Sequence, residues 1–339
     1  MAYVRAEELS YTKVRALDMS RTICFQPVSA LEVHGPHLPL GMDLFMARWM
    51  AEETGRRFAD AHPDWTVVQQ PPLPLGTDEL PLAGSMNASQ RTVYGAVTAH
   101  GTSLVRAGYR YVVVTNGHGG PRHAAALEAA CRRVSKRHRI HMFIPSNLAL
   151  HRIVTGQRFD TVESLLGRPL TDAERRGLLA GEHAGSWETS FMLAERPELV
   201  EPGYGQLGLD GPPPFKPLAR LGERLVRWRS RRGRQTAKLQ EAFHALSGGI
   251  GWLLNARYGY GGPVVSYQGD PSVASAELGR TFREVMAQEC LAMVEAVTAG
   301  RLGATDVRSI ASDYAAIQPH FWPRLGFALA AVVLAIVFF

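Results

Sequence analysis

The feature that most constrains the fold is an alternation of apolar strands with helices over the first half of the chain. The segment YRYVVVTNGHGG (109–120) runs from apolar and β-branched residues into glycines, which predicts a strand. Helical spacing follows in HAAALEAACRRVSKR (123–137). The same patterns predict further strands at 22–32, 64–70 and 139–146, and helices at 43–58 and 90–107. Such alternation is typical of a parallel sheet covered on both faces, so we expect a single three-layer α/β/α domain.

The length of 339 residues is enough for one large α/β domain. We interpret residues 1–310 as that domain and 311–339 as a C-terminal tail. Residues from about 200 to 240, which are irregular, proline-rich and then basic, are interpreted as an insertion or lid. The last third predicts two helices around a glycine-rich loop that lacks the lysine of a phosphate-binding loop.

The formal net charge of +6 is modest and is concentrated in the basic segment 220–238. This segment is interpreted as a solvated helix face, with an anionic membrane or nucleic-acid surface as the alternative. No zinc-finger or helix-turn-helix pattern is present, so no nucleic-acid partner is expected. Three cysteines without a CxxC spacing favour a reducing compartment, and the charged N-terminus lacks a signal-peptide core, so we expect a cytoplasmic protein.

A run of apolar residues from Leu325 to Phe339 closes the sequence. As a helix it would be about 22 Å long, against the roughly 30 Å of a hydrocarbon core. It could therefore be a helix buried in the protein or in an oligomer interface. Because the run has no polar face and follows Trp322 and Arg324, a short membrane-anchoring or transmembrane helix is favoured.

Histidines and carboxylates cluster where predicted strands end. Glu32 and His34 follow the first strand, His118 follows the clearest strand, and Asp43 begins a helix. Because ligands bind at the carboxyl ends of parallel strands, we expect one shared rim. A third cluster, at the start of a helix predicted to be amphipathic, contains Glu182, His183 and Glu188. Oxygen and imidazole donors without cysteine suit zinc, manganese or iron.

Three of these segments, EVHGPHLPLGMD (32–43), NGHGG (116–120) and GEHAGSWETSFML (181–193), closely resemble the signature segments of the creatininase (creatinine amidohydrolase) family. GDPSVASAELG (269–279) is similar to the C-terminal signature of that family. The resemblance runs from about residue 16 to 297. It implies an α/β fold with a mainly parallel sheet, a homohexamer or other homo-oligomer, and a dinuclear metal centre that hydrolyses amide-type C–N bonds.

The resemblance also assigns expected roles within the metal centre. Glu32 and His34 match terminal metal ligands, Asp43 matches the bridging carboxylate, and His118 matches a further ligand. Creatininase has a carboxylate where this chain has Gly120, so Glu188 is the expected replacement. The acid–histidine pair beside the scissile bond corresponds to Glu182 and His183. We expect His183 to donate a proton to the leaving nitrogen and Glu182 to orient it.

Substrate contacts are expected from the glycines after His118 and from two loops. Backbone N–H groups of Gly119 and Gly120 are expected to stabilise the oxyanion, although Gly119 stands where creatininase has an aromatic contact. The loops GTDE and GSMNAS supply Asp78, Glu79 and Ser85 as substrate-binding candidates, with solvated turns as the alternative. His37 is open to a catalytic or a structural role.

The function expected from these residues is metal-dependent amide hydrolysis through a metal-activated hydroxide. The substrate would be a small cyclic amide, a formamide or a peptide-like amide, with ester or C–C hydrolysis as a second enzymatic possibility. The alternative from another class is a catalytically inactive scaffold or binding protein of the same fold, tethered at the membrane. Two divalent ions per chain are the expected cofactors.

Overall fold

The centre of the fold is a parallel sheet, as the sequence predicts. The computed structural model describes residues 3–179, 182–233 and 235–321. Within that part of the chain every strand pairing is parallel, in the order β1-β3-β2-β5-β6, with β4 beside the end of β2. The strands are β1 (Tyr3–Arg5), β2 (Thr22–Ser29), β3 (Thr66–Gln69), β4 (Leu73–Pro74), β5 (Tyr111–Thr115) and β6 (His141–Phe143).

Helices connect these strands and continue after the last of them. They are α1 (Tyr11–Arg15), α2 (Met42–Ala61), α3 (Gln90–Arg106), α4 (Pro121–His138), α5 (Pro145–Val154), α6 (Phe159–Leu166), α7 (Asp172–Leu179), α8 (Ser186–Glu195), α9 (Lys216–Ser230), α10 (Ala237–Tyr258) and α11 (Ala276–Thr298).

Strand β2 shows why the fold has three layers. Side chains alternate between the two faces of a strand. Ile23 and Phe25 pack into a core with residues of α2, α8 and α11, whereas Cys24 and Val28 pack into a second core with residues of α3 and α4. All eight residues of β2 are buried. A sheet covered by helices on both faces confirms the predicted α/β/α architecture.

Three local expectations are corrected by the structure. Part of the segment 200–234, predicted to be irregular, forms α9, whose exposed arginines match the solvated-helix interpretation. Helix α8 is not amphipathic, because its first seven residues are all buried and it packs mainly on α11. The loop after β3, expected to lack regular structure, contains the short strand β4.

The predicted tail begins on the main body of the fold. Gln90 on α3 donates to the backbone oxygen of Ile317 at 2.6 Å, and Glu128 on α4 accepts from the side chain of Ser312. None of the helices in the described ranges combines the length and apolar character needed to cross a membrane. The apolar run 325–339, for which a membrane helix was expected, lies outside the described residues.

Candidate metal centre

The two strands that carry the first ligand candidates are neighbours. Strands β2 and β5 pair in parallel, with Pro27 opposite Thr115, so the loops that follow them lie at the same edge of the sheet. Gly117 in the second loop packs against the start of α2. A Cβ atom at this position would lie 2.4 Å from the backbone oxygen of Asp43, closer than side chains permit. Glycine here brings the loop of His118 against Asp43.

Asp43 lies between two histidines. It is fully buried in the first turn of α2. Its Oδ1 atom is 3.2 Å from Nε2 of His34, and its Oδ2 atom is 3.1 Å from Nδ1 of His118. Each carboxylate oxygen therefore faces a different imidazole.

A second carboxylate accompanies each histidine. Glu32 places Oε2 3.0 Å from Nδ1 of His118, and Glu188 places Oε2 3.4 Å from Nε2 of His34. In the described residues, three groups of three side chains have potential ligand atoms within 4.8 Å of one another, and one of them joins His183 to Glu32 and His34. The other two groups are Glu32, Asp43 and His118, and His34, Asp43 and Glu188. Asp43 belongs to both.

Backbone oxygens fix which nitrogen of each histidine faces the cluster. Because a carbonyl only accepts, Nδ1 of His34 must donate to the Glu32 oxygen at 3.0 Å, and Nε2 of His118 must donate to the Thr77 oxygen at 3.1 Å. The other nitrogen of each ring faces the carboxylates, and in the neutral form of the ring it would present a lone pair to a metal ion there. Metal-binding histidines are commonly oriented in this way.

The cluster requires positive charge. Burial alone would lower the pKa of His34, but the neighbouring Asp43 and Glu188 carboxylates raise it to about 10. Four buried side-chain atoms of the cluster make no hydrogen bond. They are Glu32 Oε2, His34 Nε2 and both carboxylate oxygens of Asp43. Buried polar atoms are nearly always satisfied, and these oxygen and nitrogen donors fit a divalent cation.

His183 borders the same cluster. Its Nε2 donates to the backbone oxygen of Val33 at 2.8 Å, and its Nδ1 lies 3.9 Å from Oε2 of Glu32. Burial lowers the pKa of His183 to about 4, so the ring is neutral at pH 7. The ring offers an acceptor nitrogen to the cluster, and its expected role as proton donor to the leaving nitrogen stays a prediction.

The expected pairing of Glu182 with His183 is corrected. Glu182 accepts through Oε1 from the backbone N–H of Glu188 at 2.8 Å, and its other oxygen makes no hydrogen bond. Burial and the neighbouring Glu188 carboxylate raise the pKa of Glu182 well above its usual range. The carbonyl of Val33, not Glu182, orients the His183 ring.

Two of the predicted substrate contacts, Asp78 and Ser85, make hydrogen bonds that hold loops in place. Asp78, at a left-handed φ of +78°, accepts from the backbone N and the Nε of Arg122 at 2.7 and 2.5 Å. This contact fixes the loop whose Thr77 oxygen orients His118. Ser85 accepts through Oγ from the backbone N of Val33 at 3.0 Å. Val33 lies between the ligand candidates Glu32 and His34 in the sequence.

Glu79 is not in a solvated turn. Its side chain is buried, and neither carboxylate oxygen makes a hydrogen bond. Burial raises the pKa of Glu79 to about 7, so part of the population is protonated at neutral pH. The next residue, Leu80, donates its backbone N–H to Oε1 of Glu32 at 2.6 Å. The loop 77–80 therefore orients two of the candidate ligands.

The two glycines after His118 differ in their surroundings. A Cβ atom on Gly120 would lie 2.4 Å from Nε2 of His118, so this position leaves no room for a side chain. A Cβ atom on Gly119 would meet nothing within 4 Å. Gly119 thus borders open space beside the cluster, where a substrate could approach.

His37 has a supporting contact. Its Nε2 lies 2.8 Å from Oγ1 of Thr189 on α8, and its side chain is buried. Burial lowers the pKa of His37 to about 4. This contact ties the loop after β2 to α8 and favours the structural role over the catalytic one.

Sequence reasoning missed a buried polar chain behind His118. The Asn116 side chain donates to Asn147 at 3.0 Å, and Asn147 donates to Oε1 of Glu128 at 3.1 Å. The same oxygen accepts from the backbone N of Ser309 at 3.0 Å. Asn116 could have been found from its place directly after a strand. The pairing of Glu128 with a residue 181 positions away has no local signal.

An aromatic residue at the site was also missed. The Trp252 ring, on α10, meets the His183 ring nearly edge-on, with centroids 5.2 Å apart. Gly119 stands where creatininase is expected to have an aromatic contact. In this chain an aromatic side chain, Trp252, reaches the site from a different element, α10.

Known proteins share this architecture. The creatininase family, described as creatinine amidohydrolase, matches residues 7–294. The solved structure named "Creatininase Mn" is 19% identical with a TM-score of 0.55, over 88% of this chain and 98% of that one. A structure of a putative creatinine amidohydrolase from Bacteroides fragilis is 20% identical with a TM-score of 0.58, over 87% and 96%.

The chain is also similar to one curated peptidase over part of its length. The mycofactocin precursor peptide peptidase of Mycobacterium ulcerans is 28% identical over 180 residues. The match covers 51% of this chain and 58% of the peptidase, so it spans little more than half of either protein. The family match, by contrast, spans nearly the whole described chain. The chain therefore belongs to the creatininase family.

Proposed function

We propose that this protein is a metal-dependent amidohydrolase with two divalent ions, zinc, manganese or iron, in each chain. The observation that carries the proposal is the position of Asp43, whose two oxygens face histidines of two different groups at 3.2 and 3.1 Å. A carboxylate that serves two cations requires this arrangement. Glu32, Asp43 and His118 would hold one ion, and His34, Asp43 and Glu188 the other.

The ions and the protein contribute different parts of the chemistry. When bound, divalent ions acidify water and polarise a carbonyl group. His183, neutral and with Nδ1 free, accepts a proton from the attacking water and then delivers it to the leaving nitrogen. The carbonyl of Val33 keeps the opposite nitrogen protonated throughout. The backbone N–H groups of Gly119 and Gly120 remain our predicted donors to the oxyanion.

We favour a peptide-like amide among the three substrate classes. One relative is a peptide peptidase, and Trp252 adds an aromatic surface beside His183 for an apolar side chain to contact. Cyclic amides and formamides are the alternatives. A homo-oligomeric assembly and a cytoplasmic location stay predictions.

A substrate screen tests the proposal. Purified protein supplemented with zinc, manganese or iron is incubated with short peptides, formamides and lactams, and released amine is measured. We expect turnover with peptides that is abolished in Asp43→Ala. If metal-loaded protein hydrolyses none of the three classes, amidohydrolase activity is contradicted and the inactive scaffold is favoured.

A further inference from the structure

Helix α9 and the two arginines that follow it carry a net charge equal to that of the whole protein. Residues 216–232 contain seven lysines and arginines and one glutamate, a net charge of +6. The formal net charge of the full chain is also +6, so the remaining residues balance to zero. A neutral body with one basic helix has a directional electrostatic field.

The arginines of α9 are aligned along the helix. Arg220, Arg224, Arg227 and Arg231 follow one another at spacings of four, three and four residues, which places them in one stripe. All four are exposed. In the described residues, the ion pair within this stripe joins Arg227 to Glu223 at 3.6 Å. The stripe therefore faces solvent with most of its charge uncompensated.

An apolar stripe lies beside the arginines. Leu221, Leu225 and Trp228 are 48%, 36% and 51% exposed and follow at spacings of four and three residues. The face of the helix opposite the arginines packs on α10, where a Cβ atom at Gly222 would lie 2.6 Å from Phe243. The apolar stripe lies between this packed face and the arginines, and its side chains remain exposed. Arg232 stacks on the Trp228 ring, 3.9 Å from its centroid.

Leucines and a tryptophan next to a row of arginines are typical of a helix that lies in a lipid–water interface. In such helices the apolar side chains enter the boundary of the acyl chains, and the arginines contact anionic headgroups. The sequence also contains the wholly apolar run 325–339, a second candidate for contact with lipid. We propose that α9 docks the protein on an anionic membrane surface, with the stripe of Leu221, Leu225 and Trp228 inserted.

Vesicle flotation with the full chain tests this proposal. The probes are vesicles of phosphatidylcholine alone and of phosphatidylcholine with phosphatidylglycerol. The variant R220E/R224E/R231E reverses three charges in the stripe. The control variant R133E/K136E/R137E makes the same charge change at exposed positions of α4. Both variants keep the apolar run, so a difference between them reports on α9.

We expect the unaltered protein to prefer the anionic vesicles and to lose this preference in 1 M salt. The α9 variant should bind them on the order of 100-fold more weakly, since each cation near such a surface contributes about a factor of five. The control variant should bind within about threefold of the parent. Equal binding by both variants would overturn the assignment, whether both are strong or both are weak.

Insertion of the apolar stripe is tested separately with a fluorescent label. The three native cysteines are buried, so an added exposed cysteine can be labelled selectively. An NBD label on Leu225→Cys should shift to the blue with anionic vesicles, and a label on Ser103→Cys of α3 should not. A blue shift that depends on protein concentration without vesicles, together with a doubled mass in light scattering, would instead assign the stripe to a second copy.

Discussion

Asn116 holds His118 from both sides. Its Oδ1 accepts the backbone N–H of His118 at 2.9 Å, and its Nδ2 donates to the backbone oxygen of the same residue at 2.7 Å. These two hydrogen bonds close the loop after β5 around the Asn116 side chain. Oδ1 of Asn116 also accepts from Oγ of Ser29 at 3.0 Å. Contacts of this kind fix the direction in which a ligand side chain points.

We expect Asn116→Ala to weaken metal binding by about 10–100-fold while the protein stays folded. The loop would lose both contacts to His118, and the ring would be less well directed at Asp43. Metal affinity is measured by competition with a chelator, and folding by circular dichroism. Asn147→Ala is the matched control, because it leaves both Asn116–His118 hydrogen bonds in place. Equal metal affinity in folded Asn116→Ala and in the parent would show that the contact does not position the ligand.

The two glycines after His118 give a paired test of ligand packing. A methyl group at Gly120 would collide with the His118 ring and with Cβ of Asp78, whereas one at Gly119 has free space. Gly120→Ala is therefore expected to lose metal, and Gly119→Ala to keep it. Elemental analysis of both purified variants measures the difference. Full metal content in Gly120→Ala would show that the ring can move without loss of the site.

His183 and Glu188 are expected to respond in opposite ways. If His183 carries a proton and is not a ligand, His183→Ala keeps its metal while turnover falls by roughly 10²–10⁴-fold. Glu188→Gln is expected to lose metal first, since Oε2 of Glu188 lies 3.4 Å from the ligand nitrogen of His34. Metal content and turnover are measured on the same preparations. Parallel loss of both in His183→Ala would make His183 a ligand, grouped with Glu32 and His34.

A half-buried ion-pair cluster far from the site predicts a pH dependence of stability. Glu289 on α11 accepts from Arg152 at 2.6 Å and from Arg158 at 2.7 Å. Burial acts to raise the pKa of Glu289, but the two arginines outweigh it and hold the pKa below its ordinary value of 4.5. The unfolded chain therefore binds this proton more readily than the native state does. The stabilisation is complete above the unfolded pKa and is lost as the pH falls through the native pKa.

We accordingly expect Glu289→Gln to lower the free energy of unfolding by about 1–2 kcal/mol at pH 7 and by much less at pH 3. Urea unfolding at the two pH values measures both differences. Glu201→Gln, at an exposed position, is the control and should change little at either pH. An equal loss at pH 7 and pH 3 would show that the carboxylate charge does not contribute.

The sheet and the ligand set were accessible from the sequence for a physical reason. Strands β2 and β5 are continuous apolar runs, and parallel strands present their carboxyl ends at one edge. The residues directly after them, among them Glu32 and His118, are therefore brought together by the topology itself. The glycine before His118, Gly117, permits the close approach of this loop to α2.

The supporting contacts could not be predicted, because they depend on the packing of distant loops. The carbonyl of Thr77 orients His118, and the carbonyl of Val33 orients His183, yet any residue type offers a carbonyl. Glu182 stands next to His183 in sequence, but its side chain turns to the backbone of Glu188. Trp252 reaches the site from α10, 69 positions after the histidine it contacts.

The metal content of Asp43→Ala tests the central claim most directly. Protein purified from medium with added zinc, manganese and iron is analysed by inductively coupled plasma mass spectrometry, next to the unaltered chain. We predict close to two ions in the unaltered protein and neither in the folded variant, because one carboxylate serves both positions. Loss of a single ion would contradict the bridging role of Asp43. Full metal content in the variant, or no metal in the unaltered protein, would contradict the metal centre as proposed.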